Sequence, residues 1–115
     1  MKPLPSRGEV WRVDLDPVRG HEQGRARPAL IISTNVFNHG KSGLVTVIPM
    51  TTKPRAIHAF LPIEPPEGGV SQTSFIICDQ IRTISVERLG RKLGDLSSVT
   101  LAEVERRVKF LLDLR

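Results

Sequence analysis

The sequence predicts a mainly β domain, a compact antiparallel barrel or sandwich closed by one amphipathic helix. Several short apolar runs of strand length are separated by turn chemistry, no βαβ alternation is present, and helical periodicity is confined to the C-terminus. At 115 residues the chain is expected to form a single domain, 1–115, around one core.

From Val10 to Leu15 apolar and polar residues alternate, which predicts a half-buried strand with Trp11, Val13 and Leu15 inward. Asp16 to Arg27, with Pro17, two glycines and three arginines, has no apolar period and predicts a polar surface loop. Ala29–Ile32 and Leu44–Ile48 are β-branched runs bounded by Pro28, Asn35, Gly43 and Pro49, as buried strands would be, and Asn38-His39-Gly40 is turn chemistry. Ala59–Ile63 predicts another strand, ended by Pro65-Pro66-Glu67-Gly68-Gly69, and Thr73–Thr83 predicts the longest strand. Thr100 to Glu103 fits a capping box, followed by Leu101, Val104, Val108, Leu111 and Leu112 on one helical face. Trp11, Phe60 and Phe75 are expected in the core.

Lys and Arg number 17 against 12 acidic residues, a formal charge of +5 that favours polyanions or acidic protein segments. No apolar run approaches the roughly 20 residues that span a bilayer, and Met1–Pro5 lacks a signal-peptide apolar region, so a cytoplasmic protein is expected. Cys78 is the only cysteine, which excludes an internal disulfide and a thiolate zinc cluster, and His21, His39 and His58 share no metal-ligand spacing. Neither a metal nor another cofactor is expected.

The densest polar segment is Gly20-His21-Glu22-Gln23-Gly24-Arg25-Ala26-Arg27-Pro28. Its glycines permit tight turns, and the planar forks of Arg25 and Arg27 suit phosphate, although pairing with Glu22 and Asp16 is the alternative. Met50-Thr51-Thr52, followed by Lys53, lies at the polar end of a predicted strand, where a hydroxyl could reach a phosphate oxygen or simply cap a turn. Asp79 and Gln80 interrupt an apolar strand and are expected on opposite faces; a salt bridge from Asp79 to Arg82 and an amide bond from Gln80 to backbone are the alternatives. His21 has the side chain best suited to proton transfer near neutrality.

Five blocks together resemble the MazF/PemK/Kid toxins of bacterial toxin–antitoxin pairs. They are Arg7-Gly8-Glu9-Val10-Trp11, Leu15-Asp16-Pro17, Gly20-His21-Glu22-Gln23 with Arg27-Pro28, Val47-Ile48-Pro49-Met50-Thr51, and Asp79-Gln80-Ile81-Arg82-Thr83-Ile84. The resemblance implies an SH3-like (CcdB/MazF-type) antiparallel barrel with a C-terminal amphipathic helix, paired as a homodimer whose interface bears an RNA groove. It also implies sequence-specific cleavage of single-stranded RNA, usually messenger RNA, and inhibition by a cognate antitoxin through a flexible, acidic segment. Carried over by matching position, Arg27 is the principal catalytic residue and Thr51 its partner, with His21 and Asp79 as further catalytic candidates. Arg25, Glu22, Gln23, Gln80, Thr52 and Lys53 are the expected RNA contacts. Certain members carry an arginine two residues before the matched aspartate, where this chain has Ile77.

Two rivals remain at this level. A gyrase-binding toxin like CcdB would depend on a tryptophan near the C-terminus, but this chain ends Leu112-Asp113-Leu114-Arg115 and has only Trp11. A non-catalytic RNA-binding barrel would bind in a salt-sensitive way and leave RNA whole.

Overall fold

The computed structural model describes residues 4–16, 20, 25–54 and 60–115. In chain order these carry β1 (Glu9–Asp14), β2 (Ala26–Ile31), a one-turn helix α1 (Asn35–Asn38), β3 (Leu44–Thr51), β4 (Phe60–Ile63), β5 (Ser74–Ile77), β6 (Arg82–Ser85), β7 (Leu89–Asp95) and α2 (Ser98–Leu112). The strands pair antiparallel in the order β4-β5-β3-β2-β1-β7, with β6 also on β3. The architecture is the mainly β, antiparallel barrel with a terminal helix that the sequence predicts, and none of its helices is long and apolar enough to cross a membrane among the described residues.

Two apolar clusters explain why β2 and β3 read as unbroken apolar runs. Val10, Leu30, Ile48 and Met50 point to one, where Ile63, Ile76 and Val104 complete the core. Val13, Ala29, Ile31, Val45 and Val47 point to the other, closed by Ile84, Val86 and Leu89. A strand buried on both faces has no polar alternation to show. Trp11 only partly packs on the second cluster, because β1 slips register against β7 on either side of it; its indole N–H donates to Glu9 Oε1 at 3.0 Å. Phe60 and Phe75 are likewise only half-buried, contrary to the expected core positions.

The predicted strand Thr73–Thr83 is broken. Met50 pairs with Ile76 and Val47 with Arg82, so six residues span what three cover on β3, and the surplus forms a 3-10 turn at Cys78–Gln80. Thr46 O accepts from Ile32 N, so by alternation Pro49 faces the opposite edge, where the turn lies. Proline has no N–H to give a ladder there. β3 also runs through Pro49 to Thr51 and does not stop before it.

β7 has no clear sequence signal, because Gly90, Arg91, Lys92 and Gly94 make a poor apolar pattern. It is held by pairing with β1 and by Lys92, whose ammonium lies 3.0 Å from Glu9 and 3.2 Å from Asp95. Burial pushes the Glu9 carboxyl up, but hydrogen bonds from Trp11, Ser6 and Lys92 outweigh it and leave the group below the usual range. The 3-10 turn Glu67–Gly69 rests directly on β7: a Cβ on Gly69, at φ +72°, would strike the Leu93 carbonyl.

α2 begins three residues earlier than the capping box predicts. Ser97 is the N-cap, its hydroxyl accepting from Thr100 N at 3.2 Å, while Glu67 Oε2 accepts from both Ser97 N and Oγ at 3.1 Å. Leu101, Val104 and Val108 dock on the core, but Leu111 and Leu112 remain about half exposed because the helix outruns the barrel.

Candidate active site

The β2–β3 ladder ends at Ala29 opposite Pro49, and β3 then continues alone on that side while its Met50 and Thr51 pair with β5. The start of β2 and the end of β3 therefore part, and a cleft of about 260 Å³ opens between them, lined by Arg25, Arg27, Pro28, Thr51, Thr52 and Ser74, with Ala26 and Met50 also in its lining. Two residues beyond the last ladder pair on each strand stand Arg27 and Thr51, so antiparallel register sets them across from one another.

Thr51 is 6% exposed and its Oγ1 accepts from Lys53 N at 3.2 Å. A hydroxyl that already accepts keeps its own proton free to donate. Arg27 is half-buried on β2, paired in register with Val13 of β1. Its backbone is thus fixed by a strand, whereas the sequence placed it at the end of a loop. Arg25 is exposed and left-handed, φ +63°, a conformation that costs a non-glycine residue about 1 kcal/mol. The Asp16 carboxylate accepts from its backbone N–H at 2.8 Å, and the expected alternative of pairing with Glu22 lies outside the described residues.

Of the expected site residues the structure brings together Arg25, Arg27, Thr51 and Thr52; Lys53 adjoins through its amide. Ser74 was not foreseen: it is 4% exposed, its hydroxyl donating to Gln72 O at 2.9 Å, and a serine facing inward at the start of an apolar strand is its one sequence signal. Asp79 and Gln80 do not line the cleft; the first is exposed and the second half-buried on the 3-10 turn, not on the two faces of a strand. Arg82 instead donates to Leu15 O at 3.3 Å. The neighbouring Cys78 thiol is pushed up to about 11 by burial, a poor nucleophile. His21, Glu22 and Gln23 lie outside the described residues, as does His58.

A small barrel with guanidinium and hydroxyl groups lining a cleft where two strands part offers donors of the kind that suit a phosphate-bearing ligand. The model of a family described as a PemK-like, MazF-like toxin of type II toxin-antitoxin systems matches residues 6–112, and the chain belongs to that family. Endoribonuclease MazF9 of Mycobacterium tuberculosis is 35% identical over 113 residues, covering 94% of this chain and 96% of that protein. Among solved structures, MazF from Deinococcus radiodurans superposes with a TM-score of 0.86 at 27% identity, over 97% of this chain and 99% of that one. A mycobacterial endoribonuclease in complex with its cognate antitoxin superposes at 0.78 and 27% identity, over 96% and 97% of the two chains.

Proposed function

We propose that the chain, read as one toxin domain over residues 1–115, is a cytoplasmic endoribonuclease that cuts single-stranded RNA, chiefly messenger RNA, at specific sequences and without a metal. The observation that carries this reading is the cleft that sets the Arg27 guanidinium and the Thr51 hydroxyl on facing strands. The ribose 2′-hydroxyl attacks the adjacent phosphorus, the bond from phosphorus to O5′ breaks, and the products are a 2′,3′-cyclic phosphate and a 5′-hydroxyl. Negative charge builds on the non-bridging oxygens, where a rigid fork and a hydroxyl donor stabilise the transition state more than the ground state. Arg27 and Thr51 take those roles.

A guanidinium stays protonated near neutrality, so Arg27 acts by charge and hydrogen bonding. His21, four residues before Arg25 in the sequence, is the proposed carrier that accepts the 2′-hydroxyl proton or delivers one to O5′. Arg25, Thr52 and Lys53 hold the backbone, and Glu22 and Gln23 contact bases. Asp79 and Gln80, outside the cleft lining, are assigned to flanking nucleotides instead of the scissile phosphate.

The chain is further proposed to pair as a homodimer and to be neutralised by an antitoxin with a flexible acidic segment. The +5 charge, the exposed Phe110, Leu111, Leu112 and Leu114, and the antitoxin-bound relative support this. The test is incubation with RNA in excess EDTA and analysis of the fragment ends. Cyclic phosphate and 5′-hydroxyl ends are expected, and none with Arg27→Ala; cleavage that needs magnesium, undiminished cleavage by that variant, or binding that leaves RNA whole would overturn the reading.

A further inference from the structure

The segment before the cleft is tied down from a distant part of the chain. Arg88, in the 3-10 turn Val86–Arg88, donates to the carbonyls of Asp14 (3.3 Å) and Asp16. Arg82 donates to the carbonyl between them, that of Leu15. The segment so held bonds Arg25 on both sides: Asp16 Oδ1 accepts its N–H at 2.8 Å, and Leu15 N donates to its carbonyl at 2.9 Å. Among the described cleft-lining residues Arg25 alone is left-handed, and a glycine, which would sit there without strain, is the residue just before it in the sequence. Strain of this kind persists where surrounding bonds over-determine the backbone and the side chain is needed.

We infer that Asp16, anchored through Arg88, is a positioning residue that locks the Arg25 backbone left-handed and so aims the Arg25 guanidinium at the RNA backbone entering the cleft. The inference rests on the proposed reading of the cleft as the RNA site. Without the Asp16 acceptor the Arg25 amide is released, φ returns to negative values, and the side chain leaves along a different direction. A carboxylate beside an anion site otherwise works against binding, since like charge repels phosphate. Electrostatics and positioning therefore predict opposite signs when Asp16 is replaced.

Steady-state cleavage of an RNA by the full chain separates them. Asp16→Ala is expected to raise KM about ten-fold with kcat within two-fold. Asp16→Glu, which keeps the charge but moves the acceptor by a methylene, is expected to raise KM similarly. Asp16→Asn keeps an acceptor oxygen and should leave KM at or below the wild-type value. Asp16→Ala added to Arg25→Ala should bring no further rise, because the two act through one side chain. Thermal melting of each variant verifies folding; Asp16 is exposed, so all are expected to fold. A KM for Asp16→Ala at or below wild type, or losses that multiply with those of Arg25→Ala, would overturn the inference. Absence of cleavage by the wild-type protein, or full activity of Arg27→Ala, would instead overturn the site reading beneath it.

Discussion

Replacing Thr51 by valine nearly preserves its shape while removing the hydroxyl, so stability and catalysis can be read apart. In the folded protein Thr51 Oγ1 accepts from Lys53 N, and Lys53 itself is exposed. The freed N–H can turn to water, and the loss is about 1 kcal/mol, which lowers Tm by about 4 °C in a domain of this size. A donor aimed at transition-state charge is worth about 3 kcal/mol, and at about 1.4 kcal/mol per decade that is roughly a hundred-fold in kcat. Single-turnover cleavage of a labelled RNA, alongside a thermal melt, measures both. Thr51→Ser retains the hydroxyl and should stay within a few-fold of wild type. A valine variant cutting within three-fold of wild type would refute the assignment of the hydroxyl to the scissile phosphate.

Gly69→Ala should lower stability by roughly 3 kcal/mol, from a left-handed backbone and a Cβ driven into the Leu93 carbonyl; a denaturant titration that matches wild type would remove this close approach from the fold. Glu103 is held at about 2 by hydrogen bonds from Arg106 and Arg107, below its ordinary 4.5. A depressed carboxyl contributes stability that is present above about pH 4.5 and lost as pH falls toward 2. Melts of wild type and Glu103→Gln should therefore differ at pH 6 and converge near pH 2, and a gap that widens in acid would contradict the sign. Arg25→Ala should flatten the dependence of RNA affinity on salt by about 0.7 in the log–log slope, measured by fluorescence anisotropy; an unchanged slope would mean that Arg25 meets no phosphate.

What could be read from the chain alone was whatever local pattern encodes. The two apolar runs ending at Ile32 and beginning at Leu44 announce buried strands, and Leu101, Val104 and Val108 announce a docked helix. The ordered blocks from Arg7 to Ile84 announce the family. Arg27 and Thr51 were legible only through those blocks, since a loop arginine and a strand-end threonine are individually commonplace.

Pairing over distance was decided by tertiary structure. The break of the long strand at Cys78–Gln80 depends on how many residues each edge of β3 must match, a count absent from any window of sequence. β7 exists because β1 offers an edge and Glu9 a carboxylate, not because its own residues favour a strand. The bond of Asp16 to Arg25 likewise joins residues nine apart in the chain, under two arginines more than sixty residues away. Periodicity and turn chemistry are set by neighbours along the chain, so sequence determined the elements and the family. Register, strand switching and left-handed strain are set by packing between distant segments, so only the folded barrel decided where the cleft opens and which side chains meet in it.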